Sequence, residues 1–346
     1  MEWRQRASKL SLQSEKYGYG EIRDIINKEM GLKLTYDNIR NHLRVHIQPQ
    51  IKGDIEYTDK RATPTEEDVI NYWDKLKELN QSISNMDTKQ TKTTIKISGD
   101  KPIGIAHWGD WHLGAQGIKY DSFERDKRDI IQTDGVFFIG AGDYKENQKP
   151  TIIPSGTNEQ IATSDLQDKL VIQFMSELRS KAIALIRGCH DDWDMRINKY
   201  DFIENLCSKS VADCVNLWHG GEINIQLGQE TYKINARHKS AGNSQLNTTN
   251  AQRRLLDEKG IADVFAVAHL HYPDLQQVRR HSRDVAYIRS GSYKVYDEYG
   301  QKLNGYEGAE GVPMVIYFPD RHEILPFKNL HRGIEYLTYL RSKCHG

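Results

Sequence analysis

Apolar positions follow two rhythms along this chain. Up to about residue 86 they recur at helical spacing. Trp3, Ala7 and Leu10 mark a helix over residues 2–15, and Ile22, Ile25, Ile26 and Met30 mark a second over Glu21–Met30. Ile39, Leu43 and Tyr36 give the inner face of a third, Tyr36–His46, with Thr35 as its N-cap. Residues 47–63 are polar and irregular. Thr63-Pro64-Thr65-Glu66-Glu67 then starts a long helix reaching Met86, with acids in its first turn. Its stripe, Val69, Tyr72, Trp73, Leu76 and Leu79, is expected to pack on the following domain or on another subunit. Beyond residue 94 the rhythm changes to short continuous apolar runs, the mark of strands buried on both faces. These are Ile103–Ala106, Val136–Ile139, Ile183–Ile186, Tyr232–Ala236 and Asp263–Ala268. Helices are expected over 121–132, 160–179, 199–209, 249–259 and 328–343. Gln276–Val278, Val285–Arg289 and Val312–Phe318 are expected in a second sheet, with a last strand over Glu323–Pro326. Residues 147–158 read as a loop, and the stretch up to Gly311 is rich in Gly and Tyr.

Each of the five runs ends on metal-binding chemistry. The first leads to Asp110 and His112, the second to Asp143, and the third to Cys189, His190 and Asp191. The fourth leads to His238, the fifth to His269 and His271. Any one of these histidines can be a hydrogen-bonded structural residue. Five strand ends in succession carrying Asp, His or Cys are harder to dismiss, because the carboxyl ends of strands are where open α/β sheets place their sites.

That ordered set resembles the calcineurin-like metallophosphoesterases, whose motifs run D-x-H, G-D, G-N-H-[DE], H, G-H-x-H over the equivalent of residues 100–325. Asp110-Trp111-His112-Leu113-Gly114 is most similar to the exonuclease subunit of the SbcCD type. The resemblance implies an α/β fold, a four-layer α/β/β/α sandwich of two mixed sheets, over residues 99–346. It implies two divalent metal ions, manganese in the first place. Asp110, His112, Asp143 and His271 would hold the first, and Asp143, Cys189, His238 and His269 the second. Asp143 would bridge, and His190 would act on the leaving oxygen as the catalytic residue, its ring held by Asp191. Two positions depart from the family: Cys189 replaces Asn and Ala268 replaces Gly. A thiolate is softer than an amide oxygen and favours zinc or iron. Three outcomes stay open: Cys189 ligates the second metal, the second site is weak or empty, or the enzyme is poorly active.

The first three helices, residues 1–47, resemble a helix-turn-helix of the resolvase or transposase sort, joined by a linker over 48–98 that contains the long helix at about 64–86. Asn38, Arg40, Asn41 and Arg44 would then face DNA. Residues 1–46 hold nine Lys/Arg against six Asp/Glu, a net +3. A purely protein-binding trihelical module is the plainer alternative. The whole chain has 48 basic and 48 acidic side chains among 346 residues, so no bulk charge pulls it to nucleic acid. No run of about 18 apolar residues offers a membrane span, and the first residues lack a signal peptide's apolar segment. Four cysteines without CxxC spacing fit a reducing cytoplasm. By association this pairing of modules also fits a phage genome.

Three functions follow as expectations. The first is a metal-dependent DNA nuclease, with DNA as partner and a homodimer left open. The second is a protein phosphatase or small-nucleotide phosphodiesterase of the same fold. The third is a DNA-binding protein with a degenerate metal site. Nucleases of the SbcCD type also use an ATPase partner, and no ATPase motif lies in this chain. Lys145, Asn147, Arg187 and Lys239 stand beside the motifs and could meet a phosphate. Trp108, Trp111 and Trp193 are expected to pack first and stack on bases second.

Overall fold

A computed structural model describes residues 2–11, 17–46, 65–86, 89–152, 154–242, 244, 247–280, 282–296 and 309–344. The expected end of the first helix, the linker over 47–63 with Thr63-Pro64, and most of the Gly- and Tyr-rich stretch lie outside them. The chain divides into two compact units, Met1–Gln81 and Ser82–Gly346.

In the first unit, helices α1 (Glu2–Ser11), α2 (Tyr19–Met30) and α3 (Tyr36–His46) enclose a small core of Ala7, Leu10, Ile22, Ile26, Ile39 and Leu43. Gly31 ends α2 in the left-handed conformation that glycine adopts without strain. Asn27 clasps the turn by bonding both the N–H and the carbonyl of Leu34. Thr35 caps α3 through the Asn38 N–H at 3.2 Å, and the Asn38 carboxamide oxygen accepts from the Thr35 N–H at 2.9 Å. Tyr36, expected inward, is exposed. Helix α4 (Glu66–Met86) starts on the same reciprocal cap, between Thr65 and Asp68. In the single chain its stripe is exposed, from Leu76 at 39% to Tyr72 at 65%, the state that packing on another subunit would start from.

The second unit is a four-layer α/β/β/α sandwich, the fold class expected. One sheet runs β12-β11-β2-β3-β4-β5, the other β1-β6-β7-β8-β10-β9. The first comprises β2 (Ile103–Trp108), β3 (Val136–Gly140), β4 (Ala182–Leu185), β5 (Val215–Asn216), β11 (Met314–Tyr317) and β12 (Ile324–Phe327). The second comprises β1 (Lys92–Ile97), β6 (Gly220–Leu227), β7 (Glu230–Arg237), β8 (Val264–Val267), β9 (Asp274–Arg280) and β10 (Arg283–Arg289). Strands β2, β3, β4 and β5 are mutually parallel, as are β7, β8 and β10, and antiparallel pairings border each set.

The apolar runs are continuous because each strand feeds two cores in alternation. In β2, Ile103 and Ile105 enter the layer between the sheets, while Ala106 and Trp108 face the helices. In β8, Val264 and Ala266 face the other sheet, while Phe265 and Val267 meet α9 (Asn250–Lys259) on the outer face. Helices α5 (Tyr120–Gln132), α6 (Ser164–Glu177) and α10 (Leu330–Lys343) cover the first sheet.

Val312–Phe318 does not join the second sheet as expected. Its strand β11 returns beside β2, with Val315 opposite Ile105. Met314 and Ile316 then line the helix-side core, while Val315 and Tyr317 line the inter-sheet core. The helix expected over 199–209 shrinks to α8 (Phe202–Leu206), and a ten-residue helix, α7 (Cys189–Asn198), begins where a strand end was expected. Part of the expected loop over 147–158 is a 3-10 helix, Pro154–Glu159.

Ile234 lies at the centre of β7 with no exposed surface, inside the inter-sheet core. Ile234→Ala should cost about 2–5 kcal/mol of unfolding free energy. Urea denaturation checks this, and a cost near zero would mean the two sheets do not share that core.

Candidate metal centre

Strands β2, β3, β4, β7 and β8 point their carboxyl ends at one rim, and the chain loops there are stitched together. The N–H groups of Asp110 and His112 donate to the carbonyls of Gly142 and Asp143. The Asp191 carboxylate accepts from the N–H groups of Gly188 (2.9 Å) and Asp143 (2.7 Å), fastening the start of α7 to the end of β3. The two sheets join at the rim through Asp110, whose Oδ2 accepts from the His269 N–H at 2.9 Å. Gly188 is required here: a Cβ at this position would lie 2.1 Å from both the N and Oδ1 of Asp143.

These tight loops need unusual backbones. Asp110, His112, Asp143, His269 and His271 all have positive φ, between 49° and 76°. Such conformations cost energy outside glycine and cluster where function demands a geometry.

All seven residues expected to hold metal converge. Donor atoms lie within 4.8 Å of one another in four overlapping sets: Asp110–His112–His271, Cys189–His238–His269, Asp110–Asp143–His238 and His112–Asp143–His190. His112 Nε2 and His271 Nε2 stand 3.0 Å apart, and Cys189 Sγ is 3.8 Å from His269 Nδ1. Asp143 Oδ2 lies 3.1 Å from His238 Nε2 and 3.9 Å from His112 Nε2.

The donors fit divalent metal ions. The His112 Nδ1 proton goes to the Glu146 carboxylate at 2.8 Å, that of His238 to the Ala141 carbonyl at 2.8 Å, and that of His190 to the Glu146 carbonyl. Carboxylates and carbonyls only accept, so each Nδ1 carries a proton; this leaves Nε2 of His112 and His238 as the ligating atoms and Nε2 of His190 facing away from its carbonyl partner. Asp110 Oδ1 and His238 Nε2 are buried without an aligned hydrogen-bond partner. Groups of this kind are costly to bury unless something else binds them.

The buried groups also shift one another's titration. Burial, with Asp143 nearby, pushes the Asp110 carboxyl up to about 8. Burial also opposes ionisation of Asp143, but His238, His190 and His112 outweigh it and hold the carboxylate well below its usual range. Burial likewise disfavours the His238 imidazolium, yet Asp143 keeps its pKa well above the ordinary value. Burial brings His269 down to about 3 and His271 well below normal, so both are neutral imidazoles at physiological pH.

Several expectations change. Asp191 does not hold the His190 ring; its oxygens are taken by backbone N–H groups. His190 is instead fixed by the Glu146 carbonyl and packs against Trp193 at 4.1 Å between ring centres. Trp108, Trp111 and Trp193 are buried packing residues. Lys145 cannot reach a phosphate, being enclosed between Asp168 and Asp194. Asn147 bonds the His190 carbonyl and Asp194, and Arg187 is buried against Asp201 and Asp192. Lys239 alone of the four is exposed. Ala268, where the resembled family has glycine, keeps an ordinary backbone and is fully buried. On α3, Asn38 is engaged in the cap, Arg40 and Asn41 are exposed, and the Arg44 side chain lies outside the described residues.

The sequence reading missed Glu146. It is fully buried, between His112 and Lys294, whose ammonium is 2.8 Å away. Burial raises its pKa, but the partners win, His112 foremost, and the carboxyl titrates below its usual range. Its only sequence signal was its place three residues after Asp143.

The chain matches no protein-family model and no curated protein. Solved structures similar to it include Vps29 of Chaetomium thermophilum, at 8% identity over 65% of this chain and 94% of that one, TM-score 0.35. A conserved uncharacterized protein of Streptococcus pneumoniae, described as a predicted phosphoesterase, is 13% identical over 67% and 100%, TM-score 0.30. A nuclease, MPE of Pseudomonas putida, is 11% identical over 64% and 87%, TM-score 0.30. Likenesses this faint say nothing about the reaction, which must be read from the side chains.

Glu146→Gln removes the charge that orients His112. It should weaken divalent-metal affinity about 10–100-fold. Calorimetric titration with Mn²⁺ checks this; an unchanged affinity would reduce Glu146 to a packing residue.

Proposed function

We propose that this protein is a metal-dependent DNA nuclease that hydrolyses phosphodiester bonds by a two-metal mechanism. The convergence of seven donors into overlapping sets carries the reading: Asp143 is grouped with His112 and, separately, with Asp110 and His238, and His238 in turn is grouped with Cys189 and His269. Asp110, His112, Asp143 and His271 would hold one ion, and Asp143, Cys189, His238 and His269 the other. Such a pair supplies charge neutralisation on phosphate oxygens and an acidified water as nucleophile. The protein does the rest. Glu146, Ala141 and the rim backbone aim the imidazoles. His190, with Nδ1 tied to a carbonyl, keeps Nε2 to protonate or steady the leaving oxygen. The buried floor strengthens each charge interaction.

Incubating the full chain with single- and double-stranded DNA and Mn²⁺ tests this. Cleavage abolished by EDTA is expected. Turnover of a phosphopeptide with no DNA cleavage would favour the phosphatase reading instead. His190→Ala should lower kcat about 10²–10⁴-fold while metal stays bound. Cys189→Asn should shift the metal preference from zinc or iron toward manganese, because an amide oxygen is harder than a thiolate. Unchanged metal content and rate in that variant would remove Cys189 from the ligand set.

The first unit is read as the DNA-binding module, with α3 presenting Arg40 and Asn41. Its net +3 charge and the exposure of those two side chains support this. Arg40→Ala with Asn41→Ala should weaken duplex binding by an order of magnitude or so. Hydrolysis of a one-phosphate diester should be untouched. Duplex affinity that survives the double change would point to a protein-binding module.

A further inference from the structure

The two halves of the metal centre open onto different surroundings. On the Asp110–His112–His271 side the Lys294 ammonium is buried and bound to Glu146 and Glu159. On the other side a cavity of about 430 Å³ opens against Cys189 and His238, lined also by Arg187, Arg196, His219 and Lys239. One acid, Asp192, faces it. That carboxylate is held by two guanidiniums, Arg196 Nε at 2.5 Å and Arg187 Nη1 at 3.6 Å, so it presents little free negative charge. Arg187 is committed to Asp201 and stacks on Trp218, which makes it part of the wall. Arg196 is different: its side chain is 69% exposed, and one nitrogen anchors it to Asp192 while the rest of the fork faces solvent. Lys239 directly follows the donor His238 and is exposed. The wall therefore combines two available cations with two metal-site donors.

We propose that this cavity is a second anion subsite, in which Arg196 and Lys239 hold a phosphate next to the scissile one. This rests on the nuclease reading of the metal centre and deepens it. The substrate is an oligonucleotide strand, not a compound with a single phosphate, and it extends past the Cys189 side of the centre. An anchored guanidinium suits the role because its fork is already oriented and binds phosphate oxygens in pairs. The volume exceeds what one phosphate needs and lies in the range of pockets that take a nucleotide-sized group.

The test compares the wild-type chain with Arg196→Ala/Lys239→Ala and with the charge-conserving Arg196→Lys/Lys239→Arg. Two substrates are used with Mn²⁺, a single-stranded tetranucleotide and bis(para-nitrophenyl) phosphate. The alanine pair should raise KM for the tetranucleotide about tenfold or more at unchanged kcat, and lower the salt dependence of log KM by roughly 1 to 1.5. It should leave the one-phosphate diester unaffected, and the conservative pair should restore most of the loss. A second readout needs neither metal nor turnover. In EDTA the tetranucleotide should shield Cys189 from iodoacetamide, followed by peptide mass spectrometry, and the alanine pair should abolish the shielding. Equal loss on both substrates, or shielding that survives the alanine pair, would overturn the subsite. If the wild-type chain cleaves neither substrate, the nuclease reading fails, and the shielding experiment still decides whether the cavity takes a phosphate strand.

Discussion

Two carboxylates, Asp110 and Asp143, lie wholly out of water at one rim of the sandwich, among several imidazoles. Burying charge is among the costliest things a fold can do. The protein does not relieve that cost in the usual way, by giving each oxygen a hydrogen-bond donor. Asp110 Oδ1 has none, and the carboxyl is driven toward its neutral form. Asp143 stays ionised because imidazoles surround it. The neighbourhood adds further costs: five of the converging residues sit in left-handed backbone, and Gly188 must remain without a side chain so that α7 can approach Asp143. A site assembled only for stability would avoid all three. Their coincidence at one point is what marks the rim as functional.

The two-sheet architecture makes this convergence possible. A single parallel sheet presents its strand ends in a row, and residues on distant strands stay apart. Here β2, β3 and β4 from one sheet and β7 and β8 from the other end at the same edge, so donors approach from opposite sides. The bond from the His269 N–H to Asp110 Oδ2 is the point where the sheets meet. The return of β11 to lie against β2 supports the same geometry, since it closes the first sheet around the strand that carries Asp110 and His112.

Much of this was legible in the sequence, for a definite reason. Strands buried on both faces must be apolar throughout, so β2, β3, β4, β7 and β8 appear as unbroken runs, and any polar residue just beyond them stands out. The residues that converge at the rim stood out that way. What escaped detection depends on partners distant in sequence. Strand β1 carries Lys92, Thr93, Thr94 and Lys96 on a sheet edge and has no apolar run to betray it. Assigning β11 to a sheet needed knowledge of its neighbour, because its residues feed two cores in either sheet. Glu146 and Asp191 are acids whose roles come from the groups that reach them, His112 and Lys294 in one case and backbone N–H groups in the other. The stripe on α4 shows another limit: its spacing marks an apolar face, and periodicity alone does not say what covers it.

The donors also divide unevenly. Asp110, His112 and His271 form a set without sulfur, two of its members buried and His112 oriented by Glu146. Cys189, His238 and His269 form a softer set, with a sulfur that is partly exposed and a cationic cavity beside it. Ligand softness and solvent access both alter what an ion can do, the first through metal preference and the second through exchange with solvent and substrate. On the proposed two-ion reading, the first half would suit an ion that stays and orders the site, and the half beside the cationic cavity an ion that exchanges with solvent and substrate. The Cys189 thiol falls in the second half, where it can set metal preference without touching Asp110, His112 or Glu146.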